Sequence, residues 1–129
     1  MIYLTAEQVL FIHFRLITET GGSHGVRDLN MLESAISRPK ASFDDQDLCP
    51  DIFWKAAALM DSLINNHPFL DGNKRTGVTS AGLFLKMNGW KLDVSMKNLE
   101  RITLDTAMGK KDVEDLAKWF QEHSHPANG

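Results

Sequence analysis

Reactive and anion-binding residue types crowd into one stretch of this chain, His67-Pro68-Phe69-Leu70-Asp71-Gly72-Asn73-Lys74-Arg75. Histidine is the side chain whose ordinary titration falls near neutral pH, so His67 is a candidate general base. It directly precedes Pro68 and continues the helical face of Met60 and Ile64, which predicts that it projects from a rigid helix end. Gly72 permits a positive φ, so the N–H groups of Gly72, Asn73 and Lys74 can converge as an anion-binding nest. Lys74 and Arg75 fall in the first turn of the helix that follows. There the helix dipole disfavours cations by roughly 0.3–1 kcal/mol each, so an anion is expected to offset them, and phosphate is the natural occupant.

Asp71 lies just outside that nest. A lone carboxylate beside phosphate oxygens is what Mg²⁺ usually takes from a protein, with phosphate and water completing its shell, which makes Asp71 the metal candidate. Zinc fits poorly, because Pro68 breaks the helix that would align His67 with Asp71 and no third ligand is near in sequence. Phe69 reads as an anchor whose buried ring fixes the loop. Taken singly, each residue has a plain structural use as a packed histidine, a turn residue or a solvent-facing cation. Their joint occurrence in so short a stretch, with cations at the unfavourable helix end, points to function.

The elements that must position this stretch follow from apolar spacing. Thr5 and Gln8 have capping-box spacing ahead of Val9, Ile12, His13, Leu16 and Ile17, and Gly21-Gly22 stops that helix. Asp28 caps a short helix through Leu29, Leu32, Ala35 and Ile36 that is expected to end at Arg38 before Pro39. Residues 40–50 have no helical period, carry Asp44, Asp45 and Asp47, and read as an exposed loop or short hairpin. Ile52 to Ile64 is apolar around most of its circumference and belongs in the middle of a bundle. Lys74 to Met87 forms the next helix, closed by Asn88-Gly89. Ser95 and Asp112 cap two more, and the tail from His123 to Gly129 reads as frayed. Apart from a possible short strand near Trp90 to Val94, nothing demands a sheet. The expected class is all-α, a single domain over residues 1–129 of about six helices with a short flap.

Composition narrows the function. A formal charge of −3 in 129 residues, with no cluster of Lys and Arg, predicts no direct nucleic-acid binding. The single cysteine, Cys49, excludes an intramolecular disulfide framework and reads as a small, partly buried side chain in a reducing compartment. No basic-then-apolar leader precedes the first helix and no apolar run is long enough to span a bilayer, so a cytoplasmic protein without a membrane partner is expected.

Residues 67–75 match the signature of the Fic/Doc superfamily, His-x-Phe-x-(Asp/Glu)-Gly-Asn followed by basic residues, complete through Arg75. Gly25-Val26-Arg27-Asp28, Leu32-Glu33-Ser34-Ala35 and Arg38-Pro39 are similar to the N-terminal half of that family, so the resemblance spans most of the chain. It implies a Fic-type helical bundle in which His67 removes a proton from a target hydroxyl and Asp71 holds Mg²⁺. Gly72, Asn73, Lys74 and Arg75 would bind the phosphates of ATP or another nucleoside triphosphate, and residues 40–50 would be a substrate-docking flap.

Nucleotide-transferring members usually read Gly-Asn-Gly-Arg with a second arginine three residues on, whereas this chain has Lys74 and Val78 at those positions. The death-on-curing (Doc-type) branch of type II toxin–antitoxin systems shares the substitution. Resemblance to that branch implies an inverted nucleotide whose terminal phosphate passes to a threonine of a translation factor, elongation factor Tu. It also implies a cognate antitoxin partner. No Ser or Thr here is followed four positions later by Glu, the pattern of the internal brake in many Fic proteins, so restraint is expected in trans. Two other readings stay open: a Fic-type AMP-transferase, and a catalytically silent module that only grips an antitoxin.

Overall fold

A computed structural model of the chain describes residues 1–128. Six α-helices dominate: α1 (Ala6–Thr20), α2 (Leu29–Ser37), α3 (Ile52–Asn65), α4 (Asn73–Met87), α5 (Met96–Ala107) and α6 (Val113–Glu122). Their starts are set by local chemistry. Thr5 and Gln8 close a reciprocal capping box on α1, Asp28 accepts from the Met31 amide, Asp51 accepts from the Phe53 and Trp54 amides, and Ser95 accepts from the Asn98 amide. Asp112 and Asp115 form a second capping box on α6. Each such cap satisfies amides that a helix start leaves without partners and typically contributes about 1 kcal/mol. Gly21 ends α1 with φ 89°.

Helix α2 stops at Ser37, one residue before the expected end, and the chain tightens into a 3₁₀ turn, Arg38–Lys40, that contains Pro39. Proline is tolerated in that turn because a first-turn position needs no amide donor. Helix α3 runs through the core as its composition predicts, with Ala56, Ala57, Met60 and Leu63 fully buried. Phe69, Phe84, Leu85, Leu116 and Phe120 complete the same cluster from the motif loop, α4 and α6. At Gly77 the backbones of α3 and α4 come so close that a Cβ would stand 2.8 Å from Ile64 Cγ1 and 3.2 Å from the Met60 carbonyl oxygen.

Two small antiparallel ribbons complete the fold. The segment 40–50 forms a hairpin, β1 (Ser42–Phe43) against β2 (Gln46–Asp47), turned by Asp44 and Asp45 at φ 50° and 62°. Left-handed backbone at both turn residues matches the twist of a two-residue hairpin loop. The expected strand after α4 is present as β3 (Trp90–Leu92), and its partner is β4 (Ser124–Pro126), in the tail expected to be frayed. The tail is ordered because the ring of His123 stacks on Trp119 at 4.3 Å and its carbonyl accepts the Asp93 amide at 2.7 Å. Three residues are too few to display an alternating pattern, which is why this strand escaped sequence reasoning; Gly129 lies outside the described residues. No helix among the described residues is long and apolar enough to cross a membrane.

Candidate active site

The motif loop joins α3 to α4 and is stitched to the segment before α2. The Leu70 amide donates to the Gly25 carbonyl at 3.1 Å, and the Pro68 carbonyl accepts from the amides of Arg27 and Asp28 at 2.7 and 3.1 Å. Arg27 adds a side-chain clamp, its Nε donating to the His67 carbonyl at 2.6 Å and its Nη2 to the Asn66 carbonyl at 2.8 Å. His67 does not continue the helix as expected. Helix α3 ends at Asn65, and His67 takes a left-handed conformation, φ 49°. Pro68 disfavours helical backbone in the residue before it, so the chain turns there. The result is an exposed imidazole with no hydrogen-bond partner among the described residues.

A bulky residue held at positive φ costs on the order of 1–3 kcal/mol. Phe69, 1% exposed, anchors the loop by burial, and a side chain of that size contributes about 2–3 kcal/mol, enough to hold the strained turn. The Asn73 carboxamide reinforces it, its Oδ1 accepting the Phe69 amide and its Nδ2 donating to the Phe69 carbonyl, both at 3.0 Å. That side chain is thus committed to the loop, and what Asn73 offers an anion is its main-chain amide.

Asp71 is held from two sides. Its Oδ2 accepts the Ser23 amide at 2.7 Å, and its carbonyl oxygen accepts Nε2–H of His13 at 2.8 Å. His13 is 4% exposed and lies flat on the Phe69 ring. Burial pushes its pKa below the ordinary value, opposed in part by the hydrogen bond to Asp71, and a neutral ring with its proton on Nε2 satisfies the carbonyl. The second carboxylate oxygen of Asp71 has no protein partner among the described residues. No cluster of three or more His, Cys, Asp or Glu that could hold a metal occurs among the described residues, so a cation at Asp71 would take one protein carboxylate. That donor set suits Mg²⁺ completed by phosphate and water, and not zinc.

Gly72 sits at φ 80°, and α4 begins behind it with no side-chain cap. Thr76 is the first residue of the helix whose amide finds a protein acceptor, the Gly72 carbonyl at 2.9 Å. The amides of Asn73, Lys74 and Arg75 are left pointing out of the helix start, the arrangement that binds anions. Arg75 Nη1 donates to Thr20 Oγ1, and that hydroxyl in turn donates to the Leu16 carbonyl at 2.5 Å. The guanidinium therefore rests on the last turn of α1, whose negative dipole end compensates its unfavourable place on α4. Lys74 has no ion pair among the described residues.

The loop thus brings His67, Asp71, Gly72, Lys74 and Arg75 together, as their spacing requires. The hairpin at 40–50 is tied elsewhere: buried Lys55 of α3 donates to the Pro39 carbonyl at 2.8 Å and lies 3.6 Å from Asp47. Cys49 is buried there and burial raises its thiol pKa, in keeping with a structural role. Sequence reasoning missed the supporting contacts of His13, Thr20, Ser23 and Arg27. A polar ring on the apolar stripe of α1 was the one visible signal, at His13.

The Fic/DOC family model matches residues 3–85, which contain the whole motif loop and the segments stitched to it. The chain belongs to the Fic/DOC family. It is similar to "Toxin Doc" of Mycolicibacterium smegmatis, 38% identical over 99 residues covering 75% of this chain and 76% of the relative. It is also similar to "Protein kinase doc" of Escherichia phage P1, 31% identical over 117 residues covering 91% of each. The family model ends within α4, whereas the likeness to the phage protein is long enough to take in α5 as well.

Proposed function

We propose that this chain is a toxin-type protein kinase that transfers the terminal phosphate of ATP to a threonine hydroxyl of a translation factor, elongation factor Tu, and is neutralised by a cognate antitoxin. One observation carries the chemistry: the unpartnered imidazole of His67 shares a loop with the open amides of α4 and with Lys74 and Arg75. The relatives called a toxin and a protein kinase favour phosphate transfer within the family.

In this reading His67 accepts the proton of the threonine hydroxyl. The threonine oxygen forms a bond to the terminal phosphorus as the bond to the bridging oxygen breaks, and the electron pair leaves on ADP. The α4 amides, Lys74 and Arg75 hold the phosphate oxygens and stabilise charge developing on them. Mg²⁺ bound through the free oxygen of Asp71 would neutralise phosphate charge; Ser23 and His13 fix where that carboxylate stands. The target resides in the cytoplasm, where this chain would act. Transfer of AMP is the competing reading, and Lys74 disfavours it by placing a long cation where nucleotide-transferring relatives have glycine. An exposed His67 beside an open nest argues against a silent antitoxin-binding module.

The test is to incubate the purified chain and elongation factor Tu with Mg²⁺ and ATP labelled either on the terminal phosphate or on the α-phosphate. Label from the terminal phosphate alone is expected on a threonine of the factor. Label from the α-phosphate would replace this reading with AMP transfer. Expression in a bacterial host is expected to arrest growth, and co-expression of the antitoxin to restore it; no modification and no arrest would favour the silent module.

A further inference from the structure

Among the described residues, Arg27 is the one hydrogen-bonding partner of His67. The imidazole of His67 has no partner, its amide finds no acceptor, and its carbonyl accepts Nε–H of Arg27 at 2.6 Å. Nη2 of the same guanidinium donates to the Asn66 carbonyl at 2.8 Å. Both carbonyls follow the end of α3 at Asn65, where the helix dipole is negative, so a cation suits the place. The direction of the two carbonyls says more than the charge. Proline favours extended backbone in the residue before it, and in extended backbone successive carbonyls point to opposite sides of the chain. One guanidinium edge could not take both. At His67 the backbone is left-handed, φ 49°, and the Asn66 and His67 carbonyls converge on one planar fork. Arg27 therefore pairs with the turned conformation and would lose at least one of these bonds in the extended one.

We infer that Arg27 is the positioning residue of the candidate base: its guanidinium selects the left-handed turn at His67 and so sets the direction of the imidazole. The inference rests on the reading of His67 as general base and adds the residue that orients it. Pro68 and Phe69 are buried and fix where the loop lies, but neither Asn66 nor His67 is buried, so burial of their own side chains does not choose between the two backbone states. Rotation about the His67 backbone swings the ring relative to the α4 amides, and a misplacement of about 1 Å can cost about 10²-fold in rate. Arg27 is itself held by its main chain. Its amide donates to the Pro68 carbonyl at 2.7 Å, and its neighbour Val26 pairs with Phe69. Its side chain is exposed and acts through the backbone of His67, not on the reacting atoms.

The experiment compares Arg27→Met, which keeps the length and loses the donors, with Arg27→Lys, which keeps the charge and loses the fork. Cα and Cβ chemical shifts of His67, assigned by their absence in His67→Ala, report its backbone conformation by NMR, and transfer of the terminal phosphate of ATP to elongation factor Tu is followed in parallel. Arg27→Met is expected to melt within a few degrees of the parent, to move the His67 shifts away from left-handed values, and to lower kcat at least about tenfold with KM for ATP within about twofold. Arg27→Lys should fall between that variant and the parent. Left-handed shifts retained in Arg27→Met would overturn the inference, whatever the parent transfers. Shifts that move with kcat unchanged would also overturn it, as would full activity in Arg27→Lys, which would make charge and not the fork the contribution. A rise in KM for ATP as large as the fall in kcat would put Arg27 on the nucleotide and overturn it too. A parent that transfers nothing, while the shifts of Arg27→Met move as expected, would sink the kinase reading and leave Arg27 as the residue that sets the turn.

Discussion

The imidazole of His13 lies on the ring of Phe69 with centroids 3.8 Å apart and planes 6° from parallel. One residue of α1 thereby supports the anchor of the motif loop and, through Nε2–H, the carbonyl of Asp71. Buried itself, His13 touches the loop through this ring and this carbonyl.

Replacing His13 with alanine removes that donor and leaves a void under Phe69. The expected loss is about 2–4 kcal/mol of stability, read as a lower urea midpoint. A change under about 0.5 kcal/mol would show that the stack and hydrogen bond contribute nothing net.

The same residue sets a pH dependence. Burial holds the His13 pKa in the fold below the ordinary value of about 6.5, so the unfolded chain takes up this proton first as pH falls. Its contribution to stability is pH-independent above that value and is lost progressively as pH falls through the lowered folded pKa. His13→Gln, which keeps a donor for Asp71, should flatten this slope in urea melts as the pH is taken below the ordinary histidine value.

His67→Ala deletes an exposed side chain that contacts none of the core, so the melting temperature should stay within a few degrees of the parent while transfer falls by about 10²–10⁴-fold. A folded variant with the parent's rate would remove His67 from the chemistry.

Asp71→Ala frees the Ser23 amide and, on the proposed reading, would leave Mg²⁺ with phosphate and water alone. The Mg²⁺ concentration for half-maximal transfer should rise by at least about tenfold, or activity should vanish. An unchanged metal titration would count against Asp71 as the ligand.

Lys74→Gly opens the first turn of α4 without touching its hydrogen bonds, since the Lys74 amide has no acceptor among the described residues. If Lys74 selects the orientation of the nucleotide, the variant should begin to transfer AMP, visible as α-phosphate label in modified protein. A product set identical to the parent's would show that Lys74 does not select the chemistry.

What the sequence disclosed is what depends on near neighbours. The caps at Thr5, Asp28, Ser95 and Asp112, the buried face of α3, the left-handed Gly72 and the anchor Phe69 each follow from a handful of adjacent residues. So did the crowding of His67, Asp71, Lys74 and Arg75. The contacts that hold the site join residues far apart in the chain: His13 to Asp71 across 58 positions, Arg27 to His67 across 40, and Arg75 to Thr20 across 55. Such pairs are set by how helices cross, and periodicity carries no information about crossing. His67 shows the same limit locally, because the rule that proline breaks a helix gives the break without the direction in which the preceding side chain is turned. The pairing of the Asn73 carboxamide with both the amide and the carbonyl of Phe69 likewise depends on how the loop turns and not on spacing.

The backbone contact at Gly77 bears on how a ligand is received. With no room for a Cβ between α3 and α4 at Gly77, the two helices are in close backbone contact, and the motif loop hangs between the ends of one tightly packed pair. The entropy of ordering that loop is therefore spent during folding and not at the moment of association. On the proposed reading a nucleotide would meet a frame already set, so exchange of the hydrogen-bonded amides of Phe69 and Leu70 should be slow before the ligand arrives and little slower afterwards.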